Sequence, residues 1–283
     1  MPSDYALKRS HSQETVIIHA ADLYLLDQWR IDRAISDDTQ RSAILSKWLE
    51  LGSRGRMPYI ERLKEISLSK DDIIGDEKNL LARVRSASDR QGVSYTRLVR
   101  TFYGEGSEEN LAELISEAEY DGTVFDDAAL YDAGSNDGLQ SLHNILTRIP
   151  QIVEETPGFA AWYNKRKRKT RDEAIEACMD NFDYALSMVH LAAKWSHVLI
   201  YDKEANYAPG NVLLVYIDDR GRVLRYSRLD GAEDMQAADG MLCSGQDFMH
   251  AWWEGGRYGE DWKPHQLSKR WDEVDHETPA LEA

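Results

Sequence analysis

The stretch Val212-Leu213-Leu214-Val215-Tyr216-Ile217-Asp218-Asp219-Arg220-Gly221-Arg222-Val223-Leu224-Arg225-Tyr226-Ser227 decides the fold class. Val212 to Ile217 is an unbroken aliphatic and aromatic run, and Val223 to Ser227, interrupted by Arg225, is a second, shorter strand candidate. Such runs, bounded by turn residues, read as strands. Asp218-Asp219-Arg220-Gly221 joins them as a hairpin, because glycine takes the left-handed turn conformation at little steric cost. Val198 to Tyr201 is a third candidate strand.

Upstream of these strands the period changes to that of a helix. Residues 171–195 contain no Gly or Pro, and Ile175, Met179, Phe182, Leu186, Val189 and Ala193 share one face. Glu173, Glu176, Asp180, Asp183, Ser187, His190 and Lys194 recur at alternating steps of three and four and form a narrow polar stripe. A wide apolar arc with a thin polar stripe suits a largely buried helix. Ser107-Glu108-Glu109 opens another helix, since carboxylates favour the positive end of the helix dipole. Its apolar face is Leu111, Leu114, Ile115 and Ala118, and a further helix spans Leu139 to Val153 until Pro150 kinks or ends it. Nearer the N-terminus, Leu23 to Ala34, Ile44 to Leu49, a short helix opened by Pro58, and Leu80 to Val84 are helical by spacing. Asp37 or Asp38 is expected to cap the second of these and Gly52 to end it.

The expected fold is therefore α+β: predominantly helical, with a small antiparallel β element near residues 198–228 and an aromatic-rich C-terminal tail. Residues 1–156 form a helical region containing the acidic block and residues 157–271 carry the long helix and the hairpin. Residues 272–283 are a flexible acidic tail. The two larger regions could equally form one domain.

The 283 residues carry 50 Asp and Glu against 34 Lys and Arg, a formal charge of −16. The charge is blocked, not diffuse. Residues 1–104 are nearly balanced, whereas 105–160 hold one basic residue, Arg148, among 13 acidic ones. Residues 161–200 are slightly basic, and 201–283 hold 17 acidic residues against 9 basic. This layout argues against a protein that coats nucleic acid, which needs clustered cations over a broad surface. Two cysteines, Cys178 and Cys243, make no disulfide framework. No apolar segment approaches a membrane span, and no signal peptide is visible. A cytoplasmic protein is expected, or a nuclear one if the source is eukaryotic.

Lys165, Arg166, Lys167, Arg168, Lys169 and Arg171 form a dense cationic run. It fits a nuclear import signal or a local anion-binding segment, set against a solvated linker that pairs with the neighbouring acidic block. On the long helix, Asp183 and His190, with His197 beyond, are the best candidates for acid–base work. Their spacing matches no metal signature, so no metal or cofactor is called. His19 and Asp22 could form a base with its orienting carboxylate, but no nucleophile signature accompanies them; a simple polar pair is the blander account. The Asp132–Gly138 loop fails the calcium register at several positions. Gly104-Glu105-Gly106 lacks the third glycine and a preceding strand, so it is not read as a dinucleotide loop. Trp252, Trp253 and Trp262 lie on a Gly-rich segment and could contact a ligand or partner, or simply pin the tail.

Three functions follow. The first is a non-catalytic interaction or regulatory protein whose acidic faces meet a basic partner. The second is a hydrolase or isomerase with a cleft beside residues 171–195. The third is a small-molecule binding module lined by the late tryptophans.

Overall fold

The computed structural model describes residues 19–30, 35–69, 97–120, 122–127, 138–153, 190, 193–208, 211–244, 256–263 and 266. The basic run, the candidate helix at Leu80–Val84, Asp183, Trp252, Trp253, the Asp132 stretch and residues 272–283 lie outside them, as does most of the helix expected over 171–195, within which His190 and Ala193 are helical.

The chain is α+β. In order it forms α1 (Ala20–Gln28), α2 (Asp37–Glu50), α3 (Gly52–Ser69), β1 (Arg97–Arg100), α4 (Ser107–Glu117), β2 (Thr123–Asp126) and α5 (Leu142–Arg148). A 3₁₀ turn at Pro150–Val153 precedes β3 (Ser196–Tyr201), α6 (Lys203–Tyr207), β4 (Leu213–Ile217), β5 (Val223–Arg228) and α7 (Ala232–Ser244). Strand β6 (Arg257–Tyr258) and a 3₁₀ turn at Glu260–Trp262 follow. No helix among the described residues is long and apolar enough to cross a membrane.

The six strands make one mixed sheet in the order β2-β1-β3-β4-β5-β6. Strands β2, β1 and β3 are parallel, and β3 to β6 are antiparallel neighbours. The expected element near 198–228 is thus the antiparallel part of a larger sheet. The parallel part escaped the sequence because β1 and β2 are four residues each, too short for periodicity to reveal. Strands β1 and β3, which lie on either side of residue 156 in the sequence, pair within this single sheet.

Alternation along the strands separates two cores. Val99, Val198, Ile200, Val215 and Ile217 face a layer built from α1, α2, α5 and the turn at Pro150–Val153. Leu98, Leu199, Tyr201, Leu214 and Tyr216 face α4, α6, α7 and Trp262. Helices thus cover both faces, which is why β4 is apolar at every position instead of alternating. The first layer centres on Trp48, whose ring lies 5.3 Å from Tyr24 and 5.8 Å from Tyr59.

Local expectations fare unevenly. The hairpin forms as read, with Gly221 at φ 76 and its N–H donating to the Asp218 carbonyl at 3.0 Å. Helix α4 starts at Ser107, and Pro150 ends α5. Ser36, not Asp37 or Asp38, caps α2, its hydroxyl accepting from the Thr39 N–H at 3.2 Å. Pro58 does not open its helix: α3 begins at Gly52 and runs through it. That earlier turn is held from outside, because the Asp219 carboxylate accepts from the Ser53 N–H at 2.6 Å and the Arg56 guanidinium donates to the Gly52 and Val153 carbonyls. Gly52, at φ 64, also passes so close to Asp219 that a Cβ would stand 2.8 Å from its carboxylate.

Candidate functional site

Three polar assemblies are the candidates: a buried network under the C-terminal segment, an acidic surface over the second helical layer, and the carboxyl edge of the parallel strands.

The buried network contains two of the residues singled out in the sequence. His190 is fully buried. Its Nδ1 accepts from Arg225 Nε at 3.0 Å, which leaves the proton on Nε2 to donate to the Trp262 carbonyl at 2.9 Å. Burial, reinforced by the Arg225 charge, pushes its pKa down to about 3. Both ring nitrogens are thus engaged, one by the Arg225 guanidinium and one by the Trp262 carbonyl. Trp262 is likewise interior. Its indole N–H donates to Asp218 Oδ2 at 3.0 Å, and Arg222 Nε meets the same oxygen at 2.6 Å. Burial raises the Asp218 pKa, with Arg222 opposing the shift. Of the late tryptophans, Trp262 therefore pins residues 256–263 against the sheet. His197 sits on β3 opposite Tyr216, part-buried, and Lys194 places its ammonium 5.1 Å from the Tyr216 ring. Burial lowers the Lys194 pKa to about 7. Among the described residues no group of three or more His, Cys, Asp or Glu is placed to hold a metal ion. His19 and Asp22 resolve into a helix start: the His19 backbone N–H donates to Asp22 Oδ2 at 2.8 Å.

The acidic surface was not legible as one feature. Glu108, Glu109, Glu113 and Glu117 on α4, with Glu119 just beyond, are exposed. Helix α7, from the other acidic block, lies beside α4, and Gln236 donates to Glu119 Oε2 at 3.0 Å across the join. Helix α7 adds exposed Glu233, and neither helix contains a Lys or Arg. At the other flank α6 docks on α4 through Asn110 Nδ2, which donates to Asn206 Oδ1 at 3.2 Å. The last residue of α6, Tyr207, is 70% exposed and packs its ring 6.1 Å from Phe102.

The carboxyl edge of the parallel strands carries the third group. Arg100 ends β1 and Asp126 ends β2, and the sheet register sets them opposite each other. Arg100 Nη1 donates to Asp126 Oδ2 at 3.2 Å, Nη2 to Ser107 Oγ at 2.8 Å and Nε to the Phe102 carbonyl at 3.1 Å. Its guanidinium also lies 4.4 Å from the Tyr103 ring centroid. Burial, with the neighbouring Asp126 carboxylate, pushes the Tyr103 phenol well above its ordinary range. At the end of β3, buried Asp202 accepts two bonds from Arg228, at 2.7 and 2.6 Å, and one from the Gly138 N–H at 2.8 Å. Sequence reasoning missed Arg100, Asp126 and Asp202; the Gly104-Glu105-Gly106 turn beside them was set aside for want of a third glycine and of a preceding strand, and β1 supplies the strand but not the glycine.

The class defined by these features is a sheet covered by helices on both faces, with an acidic outer surface. Comparison with protein-family models, with curated proteins and with solved structures finds no match for this chain.

Proposed function

We propose that this chain is a non-catalytic interaction or regulatory protein that receives a basic partner on the surface of α4 and α7. The observation that carries the reading is the meeting of two sequence-distant acidic segments on one surface, on helices that have no cation of their own. Such a field draws a cationic partner and sets its orientation and association rate more than its final affinity. Tyr207, exposed at the flank of the same surface, supplies the aromatic contact that acidic residues lack.

Binding of an oligo-arginine peptide to the full chain, followed by fluorescence anisotropy at low and then rising salt, tests this. Replacing Glu109, Glu113, Glu117 and Glu233 together by Gln should weaken binding about tenfold or more at low salt, and Tyr207→Ala by a smaller factor. Equal binding by the native and four-fold variant chains, or no binding at low salt, rules the reading out.

A further inference from the structure

Helix α6 has five residues, Lys203-Glu204-Ala205-Asn206-Tyr207. Asp202 caps it, accepting from the Ala205 N–H at 3.1 Å. Buried Asn206 ties it down: its Oδ1 accepts from the Tyr201 hydroxyl at 3.0 Å, and its carbonyl accepts from Asn110 Nδ2 at 3.1 Å. These bonds fix α6 against α4, yet they leave its last side chain outside. Among the described residues Tyr207 is the most exposed large apolar side chain, ahead of Ile35 at 44%. Its ring leans on Phe102, and Phe102 lies so close to Gly104 that a Cβ there would collide with the ring. Gly104-Glu105-Gly106 leads directly into α4, so the aromatic pair stands at the start of that helix, where Glu105, Glu108 and Glu109 are exposed.

A ring face beside carboxylates suits a cation, and the two cationic side chains suit it unequally. A guanidinium is planar and weakly hydrated, so it can lie on the ring while its N–H groups fork to a carboxylate. An ammonium is a compact, strongly hydrated point charge and gains less from the ring. The chain displays both cases close by. Arg100 lies 4.4 Å from the Tyr103 ring centroid while donating to Asp126 at 3.2 Å. Lys203, one turn before Tyr207, keeps its ammonium 6.0 Å from that ring, at the outer limit of such contacts. Arg228, also beside α6, is paired with Asp202 and Glu204.

We propose that Tyr207, seated on Phe102, makes this surface select arginine over lysine in its basic partner, the guanidinium stacking on the ring and forking to a carboxylate at the start of α4. The proposal rests on the reading of α4 and α7 as the receiving surface, and it assigns Tyr207 as the residue that sets specificity. The full chain is titrated by fluorescence anisotropy with oligo-arginine and oligo-lysine peptides of equal length at one low salt concentration. Oligo-arginine should bind about threefold to fivefold more tightly. Tyr207→Ala should weaken oligo-arginine until the two peptides lie within about twofold of each other, with oligo-lysine little changed. Tyr207→Phe keeps the ring face and should keep the preference. Because Tyr207 is exposed, neither substitution disturbs the core. Equal binding of the two peptides by the native chain, a preference that survives Tyr207→Ala, or equal weakening of both peptides by that substitution overturns the proposal. Those outcomes leave the receiving-surface reading standing, because the Glu-to-Gln variant tests it separately. Binding of neither peptide overturns both.

Discussion

The two faces of the sheet are stabilised by different means. The face toward α1, α2 and α5 is packed with aliphatic side chains around the Tyr24, Trp48 and Tyr59 rings, with the buried Arg56 guanidinium, which does not titrate, 5.5 Å from the Trp48 ring. The face toward α4, α6 and α7 has charge threaded through its interior, with His190, Asp218 and Arg225 each no more than 1% exposed. The first derives its strength from area removed from water and close packing. The second gains little net energy from its polar contacts, yet breaking any one strands a partner in a poor solvent. The first face is therefore expected to be stable across pH, and the second to respond to it.

The largest expected effect is on the apolar face. Trp48→Ala removes a fully buried ring that contacts Tyr24 and Tyr59, and it should cost about 4 kcal/mol in denaturant unfolding. Asp218→Ala should cost about 3 kcal/mol, since it strands the Trp262 N–H and the Arg222 guanidinium at once. A cost for Asp218→Ala well above that for Trp48→Ala would break the comparison, because charge and not packing would then dominate.

The two faces should also differ in their response to pH. The native pKa of His190 lies near 3, below its unfolded value of 6.5, so the unfolded chain binds the proton first. The stability that His190 supports is fully present above pH 6.5 and is lost as pH falls toward 3. By pH 5 that loss is about 2 kcal/mol. Asp218, whose pKa is raised, acts in the opposite sense, so the His190 contribution is isolated by substitution. His190→Gln can still accept from Arg225 and donate to the Trp262 carbonyl but cannot titrate. Unfolding curves at pH 7 and pH 5 should show the native chain losing about 2 kcal/mol more than the variant. Parallel losses would show that His190 does not govern the acid response.

What was legible followed from local rules. The Val212–Ser227 hairpin, the start of α4 at Ser107 and the end of α5 before Pro150 each rest on residues within a few positions of one another. Strands β1 and β2 did not, because Arg97-Leu98-Val99-Arg100 and Thr123-Val124-Phe125-Asp126 become strands by pairing with each other and with β3, not by propensity. Helices α6 and α7 also went unread: one has five residues, and the other carries Gly240 within a weakly periodic segment. The polar sites were the least legible. His190 was singled out for its helical stripe, but its partners, Trp262 and Arg225, stand 72 and 35 positions away.

The hairpin, the start of α4 at Ser107, the break that ends α5 and the segregation of acidic charge into two blocks follow from the sequence alone. These depend on backbone preferences and counting, which do not require knowing where distant segments lie. Only the tertiary structure decided that the two blocks meet at Glu119 and Gln236, that Arg100 faces Asp126, and that His190 is engaged in anchoring Trp262. Each of these is a pairing between segments far apart in the chain. Sheet register and two-sided burial set such pairings, and neither is encoded in any short stretch.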